Sequence, residues 1–202
     1  DGMGGHRAGG HASSFAVERF VELIEESDQT DPIELMKACI ATVNQEMIVK
    51  SNENEEYAGM GTTFVAATVS DHKVTVMNIG DSRLYYGNKE LKQITVDHSY
   101  VEELINAGML DREQGRLHPK KNVITRALGS QAATPDFFEF EAQEGYLLLC
   151  SDGLSNMISD DELKELLLDH DQIANKTNQM IARANEYGGK DNISLVIVDL
   201  KR

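Results

Sequence analysis

Four aspartates stand apart from the other acidic residues because of what surrounds them. They lie in Asp1-Gly2-Met3-Gly4-Gly5-His6, Gly80-Asp81-Ser82-Arg83, Ser151-Asp152-Gly153-Leu154 and Gly188-Gly189-Lys190-Asp191-Asn192. Asp81 and Asp152 each follow an apolar run at once, and Asp191 stands just before one. Glycine lets a backbone approach closely and take strained angles, so a carboxylate beside it at a strand end is rigid and partly exposed. Several such carboxylates at one end of a sheet repel one another unless a cation fills the gap. An all-oxygen donor set suits Mg2+ or Mn2+. No His-Glu-x-x-His pair, cysteine cluster or EF-hand loop occurs, so zinc and an EF-hand calcium site have no support. Each motif alone is an ordinary turn. Gly4-Gly5 has the form of a phosphate-cradling nest, but no Walker lysine follows it. The weight lies in the motifs taken jointly, in this order, with apolar runs at their flanks.

The elements that must carry these residues follow from periodicity. Phe15, Val17, Phe20, Val21, Leu23 and Ile24 give residues 14–26 a helical apolar face. A second helix opens at Asp31-Pro32-Ile33-Glu34, with Asp31 as cap and Pro32 in the first turn. Then the pattern turns to short β-branched runs. Thr62–Val69 and Val74–Ile79 form one hairpin, and Arg83–Tyr86 and Lys89–Ile94 form another about Gly87-Asn88. Ser99 with Glu102 and Ser159 with Glu162 are capping boxes for two further helices. His118–Ser130 is polar and basic, a loop, and Phe137–Glu141, Tyr146–Cys150 and Ile193–Leu200 are strands. Ile173, Met180, Ile181 and Ala184 mark a last helix. Hairpin connections argue for an α+β protein and against a doubly wound parallel sheet.

The chain of 202 residues is long enough for one domain with a real core, which we expect to span residues 1–202. Nineteen basic against 34 acidic residues leave a net charge of −15. Such a surface repels phosphate backbones, so nucleic acid is excluded as a partner, and with it a two-metal nuclease. An acidic chain can instead hold hard cations, although a solvated acidic surface accounts for most of these charges. Cys39 and Cys150 are far apart in apolar settings, which reads as two free buried thiols in a reducing compartment. No apolar run reaches the roughly 18 residues needed to span a bilayer.

In order along the chain, Asp1-Gly2-Met3-Gly4-Gly5-His6, Gly59-Met60-Gly61-Thr62-Thr63, Gly80-Asp81-Ser82-Arg83, Ser151-Asp152-Gly153-Leu154 and Gly189-Lys190-Asp191-Asn192 resemble the motifs of the metal-dependent Ser/Thr protein phosphatases of type 2C, the PPM family. Asp97-His98-Ser99 and His118-Pro119-Lys120-Lys121-Asn122 resemble its bacterial members. The resemblance runs from residue 1 to about 200. It implies a β-sandwich of two antiparallel sheets flanked by helices on both sides, a four-layer αββα fold. It also implies that Asp1 bridges two Mn2+ or Mg2+ ions, with the Gly2 carbonyl as a further ligand and Asp152 and Asp191 completing the site. Asp81 then helps to hold a third, weaker ion. His6 is the implied general acid. A flap at residues 111–135 shapes substrate access, with His118, Asn122 and Arg126 as its substrate-facing candidates.

The implied reaction is hydrolysis of phosphoserine and phosphothreonine by a metal-activated water, without a covalent phosphoenzyme. Two ions can lower the pKa of a water and clamp phosphoryl oxygens, and an imidazole can give the leaving alkoxide its proton. The implied partners are phosphorylated bacterial proteins in the cytoplasm, in signalling opposed to a Ser/Thr kinase, acted on by a monomer. The family carries roughly 30–40 residues before its Asp-Gly-Met-Gly-Gly run, two strands of ordinary length with their turns. Among them is an Arg that binds the substrate phosphate. Nothing in this chain matches that segment, so we expect an N-terminally truncated domain, weakly active or inactive alone. The alternative reading is a phosphoprotein-binding pseudophosphatase.

Overall fold

The computed structural model describes residues 1–201, and at His6 the backbone alone. In chain order the elements are β1 (Gly2–Met3), α1 (His6–Glu25), α2 (Pro32–Glu53), β2 (Gly61–Thr62), β3 (Phe64–Ser70), β4 (Lys73–Ile79), β5 (Arg83–Gly87) and β6 (Leu91–Gln93). They continue with α3 (Tyr100–Asn106), α4 (Arg112–Leu117), β7 (Asp136–Glu141), β8 (Tyr146–Cys150), α5 (Asp152–Ser155), α6 (Asp160–Leu168), α7 (Ile173–Glu186) and β9 (Leu195–Asp199). Antiparallel sheets with helices make this an α+β fold, as the sequence pattern requires. The chain divides into two compact units, and the division falls within β3, β4 and β7. Among the described residues no helix is long and apolar enough to cross a membrane.

The first unit comprises residues 1–64, 77–81 and 97–137. Its core draws on Ala8, Ala12, Ala16 and Phe20 of α1 and on Met36, Cys39, Ile40, Val43 and Met47 of α2. Asp31 caps α2 by accepting the Glu34 N–H at 2.9 Å. β1 pairs antiparallel with β2, Gly2 opposite Thr62. The sequence pattern starts the first helix at residue 14, but α1 begins at His6. Its first turns, His-Arg-Ala-Gly-Gly-His-Ala-Ser, carry no strong apolar face and two glycines, so local propensity argues against a helix. Tertiary packing decides otherwise. The backbones of Gly2 and Gly9 lie so close that a Cβ on Gly2 would stand 1.8 Å from the Gly9 carbonyl oxygen. α4, which falls between the elements expected from the sequence, is opened by a full capping box between Asp111 and Gln114.

The second unit, residues 65–76, 82–96 and 138 onward, contains a four-stranded sheet of order β6-β5-β8-β9. All its pairings are antiparallel, and Cys150 stands opposite Arg83 on one side and Leu195 on the other. Alternate residues of its strands face opposite ways, and each face is buried differently. Tyr85, Leu148 and Cys150 pack with Leu154, Ile158, Leu163, Leu167, Met180 and Ala184 from α5, α6, α7 and the turn after α5. Leu84 and Leu147 pack with Val74, Val76 and Ala142, joined by Val65, Phe138 and Phe140 of the other sheet, order β3-β4-β7. Two sheets face to face, with helices on the outer side of one, are the sandwich motif that the resemblance implied. Lys176 of α7 is fully buried here. Its ammonium donates to the Leu167 carbonyl and, at 2.6 Å, to that of Asp169, and lies 4.2 Å over the Tyr146 ring. Carbonyls at the end of α6 and an aromatic face thus replace its water.

Leu148 is wholly buried in this sheet, whereas Val196 on β9 is 57% exposed. Leu148→Ala is expected to lower unfolding free energy by about 3 kcal/mol, and Val196→Ala by less than about 0.5 kcal/mol. Urea titration followed by far-ultraviolet circular dichroism checks both.

Candidate functional site

Two of the four aspartates meet in the second unit. β8 ends at Cys150, and Ser151 then stitches its strand end to the segment before β9. The Ser151 N–H donates to the Ser194 carbonyl at 2.9 Å, the Ser194 N–H to Ser151 Oγ at 3.0 Å, and Ser151 Oγ to the Asn192 carbonyl at 3.2 Å. Gly153 completes the contact. A Cβ there would stand 2.1 Å from the Asn192 carbonyl oxygen, so only glycine lets the Asp152-Gly153 and Asp191-Asn192 segments touch. Asp152 opens α5, and its Oδ2 accepts from Asn156 Nδ2 at 3.0 Å. Burial, and then the charge of Asp191, push the Asp152 carboxyl above its usual range, against the opposing Gly153 N–H and Arg83. A half-buried carboxylate held beside a second one is a donor set that a divalent cation fits and that no cation-free arrangement favours.

The other two aspartates belong to the first unit and share a support, Thr63. The Asp1 amino group donates to Thr63 Oγ1 at 3.0 Å, and the Thr63 N–H donates to the Asp1 carbonyl at 3.0 Å. Gly80, the residue before Asp81, has φ +106°, and a Cβ on it would lie 2.6 Å from Thr63 Cγ2. The strand exit that carries Asp81 therefore leans on the same buried threonine that holds Asp1. Thr63 stands in the Gly59-Met60-Gly61-Thr62-Thr63 run, where nothing local marks it as this support. The Gly2 carbonyl oxygen faces the Gly9 backbone, 2.5 Å from where a Cβ on Gly9 would be. Among the described residues, no three His, Cys, Asp or Glu side chains gather into a metal-holding group.

The remaining candidates fall in three settings. The His6 side chain lies outside the described residues. His118 follows α4, its Nδ1 accepts the Lys120 N–H at 3.1 Å, and its ring lies 5.9 Å from that of Tyr100. Asn122 is exposed. Arg126 is committed to its own neighbourhood: Nη1 donates to Asp136 Oδ1 at 2.8 Å and to the Thr134 carbonyl at 3.3 Å.

Antiparallel sheets and helices with carboxylates beside glycine at strand ends offer the oxygen donors that a divalent cation takes. Comparison with known proteins identifies the family. The family model described as Protein phosphatase 2C matches residues 1–195. The serine/threonine phosphatase stp of Listeria monocytogenes is 40% identical over 206 residues, covering 98% of this chain and 82% of that protein. Protein phosphatase PhpP of Streptococcus pneumoniae is 38% identical, over 99% of this chain and 83% of its own length. Among solved structures, the Mycobacterium tuberculosis serine/threonine phosphatase PstP/Ppp superposes with a TM-score of 0.93 at 33% identity, covering all of this chain and 86% of that one. The PstP catalytic domain in complex with 2 manganese ions gives a TM-score of 0.88 at 32% identity, over 98% of this chain and 84% of that one. This chain belongs to the protein phosphatase 2C family.

The raised Asp152 carboxyl has a measurable consequence. A carboxyl whose pKa rises on folding stabilises the fold below its unfolded value of about 3.9, and that contribution is lost as pH climbs through the raised value. Without metal, ionised Asp152 therefore opposes folding at pH 7. Asp152→Asn is expected to raise the melting temperature of the metal-free protein at pH 7, with the gain shrinking as pH is lowered toward about 4. Calorimetry in EDTA across that range checks the sign.

Proposed function

We propose that this chain is a metal-dependent phosphatase that hydrolyses phosphoserine and phosphothreonine in proteins. The observation that carries the reading is the enforced pairing of Asp152 with Asp191, in a chain matched to the protein phosphatase 2C family over residues 1–195. Asp152 and Asp191, with Asp1, the Gly2 carbonyl and Asp81, are the oxygen donors that would hold Mn2+ or Mg2+, two ions and a weaker third. When bound, such ions lower the pKa of a water and neutralise phosphoryl oxygens. The manganese complex of the similar PstP domain supports this cofactor.

The chain's own residues do the rest. Ser151 and Gly153 hold the paired carboxylates at fixed spacing, so little reorganisation accompanies the build-up of charge on phosphorus. His6 protonates the leaving alkoxide. His118 and Asn122 face the substrate, while Arg126 supports the same segment through Asp136. Water, rather than a thiol, is the nucleophile. Cys39 and Cys150 are 5% and 3% exposed, and burial pushes the Cys39 thiol up, away from the thiolate a nucleophile needs. Two buried free thiols and the bacterial relatives support a chain working in the cytoplasm on proteins phosphorylated by a Ser/Thr kinase.

Hydrolysis of a phosphothreonine peptide should require Mn2+ or Mg2+, stop with EDTA, and fall in kcat by at least about 10²-fold in Asp152→Asn or Asp191→Asn. Turnover that survives EDTA, or that either variant retains, overturns the reading.

A further inference from the structure

The Gly80–Asp81 strand exit is gripped by one side chain that the reaction as described does not use. His98 is 5% exposed and holds both backbone polar atoms of Gly80. The Gly80 N–H donates to His98 Nδ1 at 3.1 Å, and the His98 N–H donates to the Gly80 carbonyl at 2.9 Å. Asn78 Nδ2 adds a second donor to that carbonyl at 3.2 Å. With Thr63 pressed against the other side of Gly80, the peptide that leads into Asp81 has no room to turn.

The tautomer of His98 follows from these bonds. Nδ1 accepts, so the ring proton sits on Nε2, which faces Asp136 Oδ2 at 3.0 Å. Arg126 Nη1 is 3.2 Å from the same Nε2, but a guanidinium only donates and a protonated Nε2 cannot accept. Asp136 is therefore the shared acceptor, taking His98 on Oδ2 and Arg126 on Oδ1. Burial works to raise the Asp136 carboxyl, and the bonds from His98 and Arg126 overcome it and hold it below the usual range. The order is Arg126 to Asp136 to His98 to Gly80, one step short of Asp81. The His98 carbonyl also accepts the Thr125 N–H at 2.8 Å, tying the same residue to the segment that carries Arg126.

We propose that His98 is a positioning residue for Asp81: it aims that carboxylate at its metal ion, and Asp136 with Arg126 keeps His98 in the accepting tautomer the task needs. The inference rests on the proposed metal-dependent phosphatase reading and on Asp81 as a ligand of the weaker ion. Outer partners that orient metal ligands change affinity by about 10- to 100-fold when removed.

The test is Mn2+ binding to the metal-free chain, by calorimetry and by electron paramagnetic resonance of the free ion. Thermal melting and phosphopeptide turnover against Mn2+ concentration are measured alongside. Wild type should show a tighter and a weaker class of sites, and Asp81→Asn should lose the weaker one. His98→Ala should weaken the weaker class by about 10-fold and leave the tighter class unchanged. His98→Asn, whose amide oxygen can stand where Nδ1 accepts from Gly80, should recover most of the loss. His98→Gln, which reaches toward Asp136 but offers Gly80 nothing, should not. If His98→Ala fails to fold, the Asn and Gln variants supply the same contrast, and equal binding by both overturns the proposal. So does weakening of both classes in step with a lowered melting temperature, which would mark a merely structural role. Wild type that takes up no Mn2+ sinks the phosphatase reading itself. Wild type that binds while Asp81→Asn changes nothing removes the role of Asp81, and that of His98 with it.

Discussion

Like charges held side by side are the constraint around which this chain is built. Asp152 and Asp191 would drift apart in a flexible loop, and burial first, then the charge of Asp191, raises the Asp152 carboxyl. They stay together because the segments that bear them are bonded through backbone and Ser151, and because Gly153 leaves no atom between those segments. A rigid strand end stores the repulsion, and in the proposed reading a bound cation would relieve it. A net charge of −15 makes the chain as a whole receptive to that cation.

The first unit solves the same problem with different residues. Asp1 and the Gly80–Asp81 exit both rest on Thr63, and contact between Gly80 and Thr63 again requires that a side chain be missing. His98 then fixes the Gly80 backbone from the other side, accepting its N–H and donating to its carbonyl. Removing a Cβ at chosen points, and bonding the freed backbone to a buried side chain, is how both units convert flexible Asp-Gly turns into fixed carboxylates. The cost of burying His98 is offset by a partner at each ring nitrogen, the Gly80 N–H at Nδ1 and Asp136 at Nε2.

The hydrophobic cores supply the rigidity these devices need. In the second unit β5 and β8 are buried on both faces, and the register that puts Cys150 opposite Arg83 and Leu195 also fixes where Asp152 emerges. A slip of one residue would turn Leu147 and Leu148 to each other's faces and carry the carboxylate with them. Buried polar groups follow the same discipline. Lys176 is tolerated in the core because helix-end carbonyls and the Tyr146 ring replace its water.

Much of this was legible from residue types and spacing. The two hairpins, the caps at Asp31, Ser99 and Ser159, and the four glycine-flanked aspartates depend on local steric and hydrogen-bonding rules, which a short window of sequence carries. For β8 the short length of an unbroken apolar run, bounded by Gly145 and Ser151, told strand from helix. The start of α1 was not legible, because Gly9 and Gly10 oppose a helix locally and only the approach of the Gly2 backbone favours one. Nor were the partners of Arg126, whose Nη1 is bonded to Asp136 and to the Thr134 carbonyl. Thr63 and His98 have ordinary side chains whose importance comes from residues 17 and 18 positions further along or back, at Gly80. The sequence by itself determined which groups could do chemistry, since that is a property of side chains and their immediate neighbours. Only the tertiary structure decided which of them meet and what holds them, since those contacts join segments distant along the chain whose proximity no local rule encodes.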